Sequence, residues 1–364
     1  MMKRILYITS FTPSNHGAGI GYSNQLINDL SKNCLIDIVY FDYKNKPEYI
    51  IPNKNVNVIK RVEINTWFKL KGLLSLPWLF PLFSCRFSWK VCSFLQKQVE
   101  NKNYDYVYFD FSQTFAYVPF IKHKNKILMS HDVILQKYSR MKKYLKPWVR
   151  ITEPMLLKHG NAIFTFSEKD CSMLKKEYGI DSRFTTFYLK DEVLNAKPSN
   201  IGNYFVMFGD WGREENYESI EWFLDNIYEQ VRPNYLYKLI GKGLPDYIKN
   251  RIEEFSNIEY LGFVEDPYPI IANAIAEIVP LHKGAGVKVK CIEALASGCP
   301  IIGTKVAFEG ISDFFSSFMK QVESSSDFVD LMNTWREDLE SRLSFKEFFL
   351  KEYNKKAIIN YILD

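Results

Sequence analysis

Short apolar runs of strand length recur along this chain, and most are followed by a segment whose apolar residues return every three or four positions. That alternation limits the fold more than any other feature. A strand followed by a crossover helix leads naturally to another parallel strand, and parallel sheets need helices over both faces. The class is therefore α/β. In the first half, strand candidates lie at 4–9, 36–41, 106–109, 127–129 and 162–166. Helices fit between most of them; at 22–30, Tyr22, Leu26, Ile27 and Leu30 share one face. The polar stretch KDEVLNAKPSNIGN at 190–203 contains a proline and a glycine and reads as a linker. A second series follows at 204–208, 236–240, 258–261, 276–280 and 300–303, with Ile220, Phe223, Leu224 and Ile227 on one face of an intervening helix. Two similar α/β halves are expected, their sheets facing a central cleft where small anionic ligands bind.

A length of 364 residues gives each half its own core, and the 47% apolar and 24% charged content excludes a mainly disordered or fibrous chain. The net charge of +5 is too small to argue for nucleic acid. Six cysteines, with no CxxC pair and no histidine at zinc-ligand spacing, predict a reduced, cytoplasmic setting. The opening MMKRILYITSF meets polar residues too soon for a signal peptide and reads as a first buried strand. GLLSLPWLFPLFSC at 72–85 is shorter than the roughly 20 residues of a spanning helix and carries Pro77 and Pro81, so no transmembrane segment is predicted.

The most informative stretch is VPLHKGAGVKVKCIEALASGCPIIGTKVAFEG at 279–310. A buried strand ends at Pro280, Gly284 and Gly286 form a loop, and a helix carries Lys290, Glu293 and Ala294 until Gly298 and Pro300 stop it. Glycines let backbone approach a ligand, and free N–H groups at a helix start favour a diphosphate. Lys290 and Glu293 share a helical face, so Glu293 is placed to accept from sugar or ribose hydroxyls while Lys290 offsets its charge. From spacing alone the same residues also fit an ordinary strand, loop and helix with a surface ion pair.

In motif order these residues resemble the retaining GT-B glycosyltransferases, specifically glycosyltransferase family 4. Glu293-Ala294-Leu295-Ala296-Ser297-Gly298-Cys299-Pro300 is similar to the EA-x-A-x-G-x-P stretch of that family, whose glutamate contacts the ribose. Gly241-Lys242-Gly243, Gly262-Phe263-Val264-Glu265-Asp266 and Glu309-Gly310 also fall in the family's order. One departure stands out: many members carry a first glutamate eight residues before the second, and Ala285 occupies that position here. The resemblance implies a GT-B fold of two Rossmann-like domains: an acceptor-binding domain over 1–190, a linker at 191–203, a donor domain over 204–344, and a C-terminal helix within 345–364 packing back on the first domain.

It also implies site residues. The loop after the strand at 204–208 holds Gly209 and Arg213, the guanidinium available to donor phosphates; the alternative for Arg213 is a surface partner of Glu214 or Glu215. Gly284, Gly286, Val287, Lys288 and Lys290 complete the phosphate side, with Glu293 on the ribose. Preorganised cations there would stabilise the departing nucleoside diphosphate. In the first half, Gly17 and Gly19 are placed beside the donor phosphate and His16 beside the acceptor. His131, in Met129-Ser130-His131-Asp132-Val133, resembles the family's histidine at the cleft edge, oriented by Asp132 or else simply capping the strand end. His131, Arg213 and Lys288 are the expected catalytic set.

The expected reaction moves a sugar, with retention, from a UDP- or GDP-linked donor to a hydroxyl of a glycan or lipid-linked glycan, in bacterial surface polysaccharide synthesis. With no carboxylate placed as nucleophile, front-face attack assisted by the phosphate is favoured. No Asp-x-Asp motif occurs, so neither metal nor cofactor is expected. Two rivals use the same architecture: a nucleotide-sugar epimerase, and a non-catalytic sugar-nucleotide-binding partner of an assembly complex. The stretches 67–90 and 137–150 mix aromatics with lysines and arginines and contain no acidic residue, a pattern that suits peripheral contact with an anionic membrane on the cytoplasmic side. Packed helices with solvated lysines are the alternative.

Overall fold

The computed structural model describes residues 2–14, 18–44, 47–284, 286–353 and 356–364. The chain divides into two compact units, Met1–Tyr188 with Lys355–Asp364, and Leu189–Asn354. Among the described residues the first unit holds a parallel sheet of seven strands: β1 (Lys3–Thr9), β2 (Cys34–Tyr43), β3 (Val56–Ile64), β4 (Tyr106–Asp110), β5 (Lys126–Ser130), β6 (Ala162–Thr165) and β7 (Arg183–Phe184), in the order β3-β2-β1-β4-β5-β6-β7. The second unit holds six parallel strands: β8 (Tyr204–Phe208), β9 (Leu236–Ile240), β10 (Ile258–Gly262), β11 (Glu277–Val279), β12 (Ile301–Gly303) and β13 (Met319–Gln321), in the order β10-β9-β8-β11-β12-β13.

Both sheets start at a central strand and reverse direction beside it. Crossovers from β1 and β4, and from β8 and β11, therefore leave toward opposite edges and open a crevice at the carboxyl ends of these strands. Ile5, Leu6, Tyr7 and Ile8 of β1 are all fully buried, as are Phe205 and Val206 of β8, which is why these strands read as unbroken apolar runs rather than as alternation.

Two expected boundaries differ. The 191–203 stretch is not only a connector: it carries the helix Asp191–Asn195, whose Val193 is fully buried and whose last turn is fixed by Lys346, donating to the Val193 and Leu194 carbonyls at 3.2 and 3.0 Å. The segment expected to return to the first domain from 345 onward stays with the second unit until about 353. Phe345, Phe349 and Tyr353 of the helix Leu339–Tyr353 are buried in that unit's core, and Arg342 donates to the Ala274 and Ile275 carbonyls at 2.6 and 2.7 Å. Only the helix Ala357–Leu363 joins the first unit, held by Lys3 to the Ile362 carbonyl at 2.7 Å and by a 3.1 Å ion pair of Lys356 with Asp29. Among the described residues no helix is long and apolar enough to cross a membrane.

Candidate functional site

In the second unit, the turns after β8, β9 and β10 stack edge to edge. The Gly209 N–H donates to the Ile240 carbonyl at 3.1 Å, Trp211 N–H to Lys242 at 2.9 Å, and Gly241 N–H to Gly262 at 2.7 Å. Gly241 has φ of +132°, and a Cβ there would lie 1.7 Å from the Gly209 carbonyl oxygen. No other residue fits, so the Gly-Lys-Gly word seen in the sequence is what lets the turns after β8 and β9 meet.

Lys290 reaches this turn from the start of the helix Val289–Ala296. Its ammonium donates to Asn216 Oδ1 at 3.4 Å, lies 5.7 Å from the Trp211 ring centroid, and sits 3.6 Å from where a side chain on Gly209 would begin. Burial lowers its pKa, and the carboxylate of Glu277 is the main opposing influence. Glu277, the first residue of β11, is fully buried, and neither of its oxygens has a hydrogen-bond partner among the described residues; the Trp211 Nε1 is likewise unpartnered. Burial raises the Glu277 pKa, Lys290 opposes that rise, and Glu293 reinforces it.

Lys288 precedes the same helix and donates to the Gly286 carbonyl at 2.7 Å, its chain folded over Gly284. Val287 between them is half-buried. Ala285 lies outside the described residues. Glu293, one turn beyond Lys290, accepts from the Tyr268 hydroxyl. Burial raises its pKa, and the cation acting against that is Lys190. The expected charge pairing is thus corrected: Lys290 faces Glu277, and Lys190 faces Glu293, because the Lys290 chain extends toward the β8 turn.

Arg213 stands at the start of the helix Glu214–Asn226 with its side chain 64% exposed and ion-paired to Glu215. That first turn also holds Glu214, which with Glu218 binds Lys283. Of the cations expected at the donor phosphates, Lys290 and Lys288 lie at the glycine turns and Arg213 lies in a surface pair.

The first unit places His131 just past β5. Its Nε2 is 2.7 Å from Asp110 Oδ1, at the end of β4, so the orienting carboxylate is Asp110 rather than Asp132. Gly19 lies against the same imidazole. His16 and Gly17 lie outside the described residues. Among the described residues no group of three or more His, Cys, Asp or Glu side chains is placed to hold a metal ion.

Sequence reading missed Asn216, Trp211, Glu277, Tyr268 and Asp110. Asp110 had a signal, since it directly follows a strongly apolar strand at the end where ligands bind. Glu277 had one also, as a lone carboxylate opening an apolar run.

Residues 202–337 match the family model described as glycosyl transferases group 1. No curated protein matches the chain by sequence. Solved structures match it over its whole length. Anabaena HepE, crystallised with UDP, is 15% identical with a TM-score of 0.67, covering 100% of this chain and 98% of its own. Sucrose-phosphate synthase from Thermosynechococcus elongatus is 13% identical with a TM-score of 0.70, over 99% and 97%. A mutant of S. aureus TarM, in complex with fondaparinux, α-GlcNAc-glycerol and UDP, is 12% identical with a TM-score of 0.68, over 100% and 99%. The two-sheet α/β fold is that of the GT-B glycosyltransferases. Its second unit carries the match to a group 1 glycosyltransferase domain.

Proposed function

We propose that the second unit binds a nucleoside diphosphate sugar and that the chain transfers the sugar, with retention at the anomeric carbon, to a hydroxyl of a glycan or lipid-linked glycan in surface polysaccharide synthesis. The observation that carries this reading is the Lys290 ammonium, seated at the Gly209 turn with a single hydrogen bond among the described residues, 3.4 Å to Asn216. A cation held at a glycine turn suits the charge of a diphosphate. Lys288, Gly284 and Gly286 extend the same surface, Glu293 takes ribose hydroxyls, and Arg213 joins the phosphates by exchanging its Glu215 partner. As the donor bond breaks, negative charge grows on the phosphate, and these fixed cations stabilise it more than the ground state. Phosphate-assisted front-face attack follows, without a carboxylate nucleophile and without a metal.

The family-model match over 202–337 supports donor binding in this unit, and the crystallised UDP complexes of HepE and TarM favour UDP over GDP as the base carrier. The first unit takes the acceptor, with His131 on the sugar side. Thermal unfolding with UDP-, GDP- and TDP-sugars, followed by transfer assays on hydroxyl acceptors, tests the reading. UDP-linked donors should raise the midpoint and yield transfer with retained configuration. A protein that no nucleotide sugar stabilises would end it.

A further inference from the structure

Asp110 sits at the carboxyl end of β4 with no exposure to solvent and collects four side-chain donors from three elements. Its Oδ2 accepts from the Tyr7 and Thr9 hydroxyls of β1, each at 3.1 Å, and from the Ser23 hydroxyl of the helix Ala18–Leu30. Its Oδ1 faces His131 Nε2 at 2.7 Å. The imidazole is held on its face as well, stacked on Phe111 with centroids 3.7 Å apart and planes 9° from parallel. Phe111 has φ of +66°, the sole non-glycine residue with positive φ among those described. Such a conformation is costly for a bulky residue and persists only where the surroundings enforce it. It turns the ring of the residue after Asp110 under His131.

We propose that Asp110 is a positioning residue that locks His131 in the tautomer with hydrogen on Nε2, leaving Nδ1 as an acceptor for a sugar hydroxyl. A carboxylate only accepts, so a 2.7 Å contact requires the hydrogen on Nε2, and in neutral imidazole the other nitrogen then carries the lone pair. Among the described residues Nδ1 has no hydrogen-bond partner. Gly19 keeps that nitrogen accessible: a Cβ there would lie 2.9 Å from Nδ1, and an imidazole pinned by Asp110 and Phe111 cannot move aside. Three residues thus set one acceptor: Asp110 its tautomer, Phe111 its plane, Gly19 its access. The inference rests on the glycosyltransferase reading for the identity of the hydroxyl, but not for the tautomer.

Asp110→Asn separates the two. Tyr7, Thr9 and Ser23 still need an acceptor, so the asparagine carbonyl turns to them and its amide NH2 to Nε2, forcing the hydrogen onto Nδ1. Long-range 1H–15N correlation on histidine-labelled protein, with His131→Asn to assign the ring, reads this directly. The expected result is an Nε2–H ring in the wild type, an Nδ1–H ring in Asp110→Asn, unchanged UDP binding, and kcat/KM for the acceptor lowered about 10- to 100-fold. Nδ1–H in the wild type overturns the assignment whether or not transfer is detected. An Nε2–H ring retained in Asp110→Asn, or undiminished transfer by that variant, overturns the locking role. Should Asp110→Asn fail to fold, Gly19→Ala decides: it should keep Nε2–H yet lower transfer at least tenfold, and full activity would refute the acceptor role of Nδ1. Wild-type protein that neither binds nor transfers any nucleotide sugar would instead remove the glycosyltransferase reading, with the tautomer still measured.

Discussion

Glu277 is the buried counter-charge of Lys290, yet its two oxygens take no hydrogen bond among the described residues and the lysine spends its ammonium on Asn216 and the Gly209 turn. A carboxylate left in that state is normally costly. Burial pushes the Glu277 pKa up to about 8 and lowers that of Lys290; each acts against the other's shift without a direct bond that would cover the ammonium.

Replacing Lys290 therefore has two effects that a second substitution separates. Lys290→Met should destabilise the protein by about 2 kcal/mol, because it strands Glu277, and should weaken UDP binding at least tenfold. Adding Glu277→Gln should restore most of the stability and none of the affinity, a non-additive pair as expected for groups in one electrostatic unit. Urea unfolding and calorimetric titration with UDP measure the two quantities. Wild-type affinity in the double variant would show that Lys290 does not touch the donor.

Glu293 is held by the Tyr268 hydroxyl on a helix that begins at the loop proposed for the phosphates, which suits it to read a ribose. The wild type should bind UDP more tightly than 2′-deoxy-UDP by roughly tenfold, about the worth of one hydrogen bond to a charged acceptor. Glu293→Ala should bind both ligands equally. Persisting discrimination would place the ribose elsewhere.

The strands that periodicity reveals are the inner ones and one edge strand, β10. Tyr204–Phe208 and Leu236–Ile240 were expected at these bounds, because a strand covered on both faces is an apolar run with turns at each end. The three that it does not reveal, β3, β7 and β13, all lie at sheet edges. There, one side of the ladder is open; β3 carries Lys60, Arg61 and Glu63, and β7 is two residues long. The site divides the same way. Lys290, Glu293 and the glycine turns are legible because a motif fixes their spacing along one helix and two loops. Glu277 and Asp110 leave only a positional trace in the sequence, because their importance comes from what three-dimensional packing withholds from one and supplies to the other. Arg86 also changes place: grouped by sequence with surface cations, it is buried, bonded to the Ser10 carbonyl with its guanidinium 4.3 Å from the Phe11 ring centroid.

Glu153 gives the first unit a pH dependence. Its carboxylate receives the Ile134 and Leu135 N–H groups at 2.8 and 3.0 Å, capping the helix that follows His131, and the Tyr178 hydroxyl at 2.7 Å. Burial nevertheless pushes its pKa up to about 7. The folded state thus keeps a proton that the unfolded chain loses near pH 4.5, so stability is highest below that value and declines until the folded group has itself titrated near 7. The decline from this group is about 3 kcal/mol at most. Glu153→Gln should be less stable than the wild type at pH 5, with the gap narrowing by that amount at pH 8. Parallel pH profiles from urea unfolding of the two proteins would refute the assignment.

The last prediction concerns the outer surface of the first unit. The helix Thr66–Ser75 exposes Trp67 and Leu74 at 70% and 71%, and the helix Lys146–Leu157 exposes Ile151 at 64%. Trp148 links the second helix to the end of the first, its indole N–H donating to the Trp78 carbonyl at 2.8 Å. Apolar side chains this exposed lose contact with water only if something covers them, and Lys71, Lys142 and Lys143 of the same two basic stretches are the charges expected to suit an anionic surface. Each lysine adds about 1 kcal/mol near such a surface and less as salt rises. Sedimentation with vesicles of three parts phosphatidylcholine to one part phosphatidylglycerol should retain the wild type at low salt and release it as salt rises. Vesicles of phosphatidylcholine alone should retain little. Trp67→Ser with Leu74→Ser should weaken retention at every salt concentration, because these residues supply the apolar part, while Lys142→Gln with Lys143→Gln should chiefly flatten the salt dependence. Both pairs belong to the first unit and the proposed donor residues to the second, so UDP binding in solution should stay unchanged in both variants. Equal retention on neutral and anionic vesicles would remove the electrostatic half of the argument, and no retention on either would leave the patch without a lipid role.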